Sequence, residues 1–173
     1  MQSLKIILTC TAAAVLYGII HDQFTAHICV EYFSVFHPPV FPTDSPTLLA
    51  LGWGVIATWW MGAFLGILLA FAARAGSRPK VGIQDLIRPI SKLLVVMALF
   101  ALLAGSAGYV LAGRVSIAPP DFTQIPPARY ARLMAVWWAH LASYFFGFSG
   151  GILLCVFTFR KRLSGGVDRP TLS

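Results

Sequence analysis

Residues 17–39 read YGIIHDQFTAHICVEYFSVFHPP and hold three of the four histidines, His21, His27 and His37, together with Asp22 and Glu31, two of the six acids. The run leading into them, from Lys5 to Ile20, carries no other charge. With the next few residues it approaches the roughly 20 residues that a membrane-crossing helix needs. Polar groups that crowd together where such a run ends mark the exit of a helix from lipid, so this stretch sets the first span and the depth of any chemistry.

Composition extends that reading to the whole chain. Apolar residues make up 58% of the sequence and charged residues 11%, against about a quarter charged in soluble domains. A chain of 173 residues has room for several spans with short connections and not for a further soluble domain. We therefore expect one integral membrane domain over 1–173, an all-α four-helix transmembrane bundle with spans near 4–24, 46–73, 90–113 and 127–160. The formal charge of +7 does not imply a nucleic-acid partner, because the basic residues flank apolar runs. With four spans, Lys5, Arg74, Arg78, Lys80, Arg88, Lys92, Arg160, Lys161, Arg162 and Arg169 share one side, and Arg114, Arg129 and Arg132 lie opposite. The positive-inside bias then predicts cytoplasmic termini and a multi-pass protein of the plasma membrane, the inner membrane in a bacterium, with the bilayer as its first partner. No small-x-small cleavage site follows the first run, which reads as a span and not as a removed signal. Cys10, Cys29 and Cys155 show neither disulfide nor zinc spacing and read as small buried hydrophobes.

Periodicity carries the first helix beyond the membrane. Phe24, Ile28, Tyr32 and Phe36 recur every four residues, and so do Gln23, His27 and Glu31, which predicts an amphipathic extension ending before Pro38. The fourth segment, some 34 residues or about 50 Å, exceeds a hydrocarbon core of about 30 Å and must protrude, tilt or break. Helices 1 and 4 are thus expected to extend past the outer surface, where Glu31 and Arg132 would meet as an ion pair. Gly62 with Gly66, Ala104 with Gly108, and Gly147 with Gly151 offer close helix contacts. Residues 81–87 suggest a separate interfacial turn, and Ser45-Pro46 a capped start to the second span, which shows no break. Trp53, Trp137 and Trp138 read as an outer aromatic belt, Trp59 and Trp60 as packing residues. The loop 114–127 contains Asp121 and four prolines, and the tail 164–173 reads as polar and mobile.

Counting about 20 residues per crossing from each basic boundary brings His21, Asp22 and His140 to one depth at the outer (periplasmic) mouth. Imidazole with carboxylate suits Zn, Fe, Cu or Mn, so the leading expectation is a transition-metal site, redox or hydrolytic. His21, Asp22 and His140 would form an inner set, and His27, Glu31 and His37 an outer one. Asp22 or Glu31 would act as catalytic proton acceptor, with Gln23, Arg132 and Tyr144 in support. Two alternatives stay open: a b-type haem between His21 and His140, and a non-catalytic accessory or assembly subunit that docks on a membrane-protein partner or forms a homo-oligomer. The order YG, HDQ, TA, C, EYF, HP resembles a stretch found in uncharacterised bacterial four-span integral membrane proteins. That resemblance covers about 23 residues and implies no activity.

Overall fold

The computed structural model describes residues 1–114 and 125–164; Asp121, Arg169 and most of the 114–127 loop and the tail lie outside the described residues. Among the described residues regular structure is all helical: α1 (Gln2–Ile28), α2 (Glu31–Ser34), α3 (Pro46–Ile56), α4 (Trp59–Arg74), α5 (Ile83–Leu111), a 3-10 turn (Pro127–Arg129) and α6 (Tyr130–Ser164). Four helical stretches, Gln2–Ile28, Pro46–Arg74, Ile83–Leu111 and Pro127–Ser164, are long and apolar enough to cross a membrane. Large apolar side chains such as Phe24, Phe71 and Val110 stand exposed around the bundle, the pattern of helices solvated by hydrocarbon.

Small residues set how the helices pair. On α4, a Cβ at Gly62 would lie 2.6 Å from the Ala14 Cβ, and one at Gly66 3.0 Å from the Ile7 Cα, so this face lies against α1. Gly105 and Gly108 do the same for α5 against Ala135 and Met134 of α6. The pair α1–α3/α4 and the pair α5–α6 then join chiefly through α4 and α6. The buried apolar core is divided. One part gathers Cys29, Tyr32, Phe33, Leu49, Trp53, Leu133 and Val136 around the end of α1; the other gathers Ile6, Leu69, Ala73, Leu86 and Ile90 at the opposite, basic end. A cavity of about 460 Å³ lies between them, bordered by α1, α4, α5 and α6.

Several expectations change. The first helix does not run outward to Pro38. It ends at Ile28, where Cys29 turns extended (φ −151, ψ 92), and the single turn α2 then buries Tyr32 and Phe33 while Phe24 and Ile28 stay exposed. Burying two large rings, each worth about 2 kcal/mol in transfer free energy, outweighs a continued helix whose apolar stripe would face water. The second span is broken at Ala57 and Thr58. The Thr58 hydroxyl donates to the Gly54 carbonyl at 2.5 Å and its N–H to Val55 O at 3.3 Å, a back-bonding pattern that bends helices. Residues 81–87 form no separate turn, because α5 starts at Ile83 and continues through Pro89. Trp53 is buried against His37 and Phe41 and does not belong to a lipid belt. Trp59 and Trp60 are about half exposed and are not packing residues.

At the basic end Arg162 is 2% exposed. Its Nε donates to Pro79 O, Nη1 to Ala72 O and Nη2 to Ala75 O, each at 2.7 Å, and Nη2 also reaches Arg78 O at 3.4 Å. One guanidinium thereby satisfies carbonyls at the end of α4 and in the loop that follows it.

Candidate metal centre

The site is built from the last turns of α1 and the third turn of α6. His21 and Asp22 are held in helix almost to its end, and the Thr25 hydroxyl donates back to His21 O at 3.2 Å. His140 reaches them from across the bundle. Its Nδ1 lies 2.8 Å from Val136 O; a carbonyl only accepts, so Nδ1 donates. Nε2 lies 3.2 Å from Asp22 Oδ1, itself an acceptor, so this contact needs a proton on Nε2 or a cation shared by the two atoms. His21 Nε2 is buried with no hydrogen-bond partner, and its ring stands edge-on to His140 with centroids 4.6 Å apart. The ligand atoms of His21, Asp22 and His140 all lie within 4.8 Å of one another, so the group could hold a metal ion. Two donors on a tetrahedral ion with bonds of about 2.0 Å stand about 3.3 Å apart, close to the His140–Asp22 separation. The Nδ1–H bond to a backbone carbonyl is also the support that metal-binding imidazoles use.

Aromatic rings close the site. Tyr17 stacks on His21 at 5.7 Å and its hydroxyl bonds Ser143 Oγ at 2.8 Å. Tyr32, from α2, covers His140 at 4.4 Å with Phe33 at 5.8 Å. His37 holds this cover in place: Nδ1 donates to Tyr32 O at 2.7 Å, and the ring stacks on Phe33 and lies 4.6 Å from that of Trp53. Burial keeps the His37 imidazole below its ordinary value, partly opposed by the Tyr32 carbonyl. Burial raises the Tyr32 phenol, with Tyr144 and Asp22 adding to the effect, so it stays protonated.

The other expected ligands are placed elsewhere. His27 is exposed; its Nδ1 donates to Gln23 O at 2.7 Å and Nε2 lies 3.4 Å from Thr47 Oγ1. Gln23 donates to Thr47 O at 3.1 Å, so both residues tie α1 to the start of α3. Because α1 ends at Ile28, His27 and Glu31 do not share a helix face. Glu31 pairs with Arg129, not with the expected Arg132: Oε1 lies 2.7 Å from Arg129 Nη1, while Arg132 is exposed on the first turn of α6. The 3-10 turn ahead of α6 swings Arg129 toward α2. Burial would raise the Glu31 carboxyl, but its own backbone N–H, the Cys29 thiol and Arg129 together hold it below its usual range. Burial pushes the Cys29 thiol up to about 11, with Glu31 adding to it. Tyr144 does belong beside the site, 6.1 Å from His140 and in the cavity wall.

Sequence reasoning missed Tyr17, Ser143 and Tyr32. The spacings were present, Tyr17 four residues before His21 and Ser143 three after His140, each one helical turn from a ligand. A haem between His21 and His140 does not fit, because Asp22 Oδ1 occupies the position facing His140 Nε2 and the two imidazoles are in edge contact, with no slot for a porphyrin. No protein family, no curated protein and no solved structure matches the chain.

Proposed function

We propose that the protein is a multi-pass membrane protein in which His21, Asp22 and His140 bind one divalent transition-metal ion, Zn²⁺ or Fe²⁺, at the end of the bundle away from most of its basic residues. The observation that carries this reading is the convergence of two imidazoles and one carboxylate, with His21 Nε2 buried and without a partner. Two imidazoles and a carboxylate leave coordination positions open, the pattern of catalytic and not of structural ions. A metal there would supply Lewis acidity or a bound hydroxide. The chain's own part is to orient the ligands through Val136 O, to cover them with Tyr32 and Phe33, and to present the Tyr144 hydroxyl beside them. Positive-inside bias supports cytoplasmic termini, which would put this end on the periplasmic side if the membrane is a bacterial inner membrane.

Elemental analysis and cobalt substitution test the reading. Purified protein is expected to hold about one metal per chain and to lose it in His140→Ala; metal-free protein that also takes up no cobalt would overturn it. The 3.2 Å contact between His140 and Asp22 also favours a second reading, an imidazolium–carboxylate pair without metal. In that case Asp22→Asn would lower stability with no metal to lose, and docking to a partner subunit or a second copy would become the leading role.

A further inference from the structure

The cavity of about 460 Å³ is polar at one end. Its upper wall carries the three ligands with Tyr17, Ser143 and Tyr144; lower down, past Ala13 and Gly147 toward Leu69 and Leu154, the wall is apolar side chains and Cys10. From His140 to Leu154 along α6 is about 21 Å, so the space is a long slot with a polar head. Its size is that of a ligand pocket and not of a packing defect.

Access is from the side. Trp60, Tyr144 and Phe148 border the slot yet remain 50%, 51% and 48% exposed, so it is open at their level. Phe148 lies about 18 Å along α6 from the basic Arg160, well inside a hydrocarbon layer of about 30 Å. An entrance at that depth admits molecules dissolved in lipid. Met61 and Met97 in the wall are side chains that adapt to a flexible apolar guest.

We infer that the slot takes a single-chain amphiphile from the bilayer, with its aliphatic chain beside Leu94, Met97 and Gly151 and a small oxygen-bearing metal-binding head, such as a carboxylate, at His21, Asp22 and His140. The head half rests on the proposed metal site; the chain half rests on the cavity alone. Cobalt-loaded protein in lipid nanodiscs is titrated with acetohydroxamate and with dodecanohydroxamate, following the visible cobalt band. Leu94→Trp fills the slot without touching a ligand, and Met97→Phe is a milder block. The blocks are expected to weaken dodecanohydroxamate by about ten-fold while acetohydroxamate stays within about two-fold. Equal response of the two probes to the blocks, or no response from either, overturns the slot. If wild type gives no cobalt band, the metal reading has failed and the chain half is read by a fatty acid carrying a terminal diazirine. Labelling at Leu94 or Met97 that falls in Gly151→Leu supports the slot, whereas label confined to outward-facing Phe71 and Val110 overturns it.

Discussion

Arg162 and the His21–Asp22–His140 group both place ionisable side chains among apolar helices, and they differ in how completely they are satisfied. Around Arg162 four carbonyls receive the guanidinium, and each is fixed in backbone. At the opposite end His140 Nε2 and Asp22 Oδ1 meet at 3.2 Å, a contact that needs a proton or a cation between them, while His21 Nε2 has no partner. A buried polar group with all its bonds made stabilises; a group of buried acceptors facing one another is unfavourable until a cation or proton joins them. The first end is a clasp and the second, on the proposed reading, a receptor for a cation, and mutation should separate them.

The largest effect is expected at the clasp. Arg162→Met strands several carbonyls and should lower the unfolding free energy by about 3 kcal/mol or more in detergent denaturation, without changing metal stoichiometry in the folded fraction. Arg162→Lys should recover only part of this, since an ammonium cannot span the same fork of acceptors. A mild Arg162→Met phenotype would remove the contrast. At the receptor end the expectation reverses: Asp22→Asn should weaken metal binding by about 100-fold or more in competition titrations while leaving metal-free stability equal or higher. Loss of stability in that variant would make the group structural.

Between the two ends, α1 approaches the break in the second span so closely that a Cβ at Gly18 would lie 2.5 Å from Thr58 Cγ2 and 2.6 Å from Gly54 O. Gly18→Val should therefore cost about 2 kcal/mol and, by pushing α1 away, weaken metal binding as well. The smallest effect is expected at the rim. Arg129→Met should cost less than about 1 kcal/mol, because its side chain is 44% exposed in the pair with Glu31.

Acid titration sharpens the same comparison at the cover over the site. His37 is held below its ordinary value of 6.5, so the unfolded chain takes up a proton that the folded chain resists; stability is complete above that value and falls as the pH drops below it. Glu31 is held below 4.5, so its contribution is present above that value and is lost as the pH falls through its lower folded value. Urea midpoints measured from pH 8 down to about 4 should show the first decline, and His37→Phe should make it shallower.

The apolar frame was legible because it depends on composition and length alone: four long apolar stretches form, and the small-residue faces of α4 and α5 pack closely on their neighbours, whereas Gly147 and Gly151 of α6 meet only the side-chain ends of Met97 and Leu65. The meeting of His21, Asp22 and His140 followed from counting depth along regular helices. Counting failed where the chain leaves helix. The step from Ile28 to Glu31 through an extended Cys29 removed His27 and Glu31 from a shared face. One turn of 3-10 helix exchanged Arg132 for Arg129, and nothing in the pattern around Thr58 marked a broken span.

Thus composition and spacing by themselves determined that the chain has four apolar helices and that polar groups collect where the first one ends, because burial in lipid selects residue type span by span. Which imidazole meets which carboxylate, which arginine becomes a clasp, and whether the middle of the bundle is filled were decided only in three dimensions. Those outcomes depend on rotamers, on single breaks in helix geometry and on how two separated cores leave space between them, and none of these is encoded in a local pattern of residues.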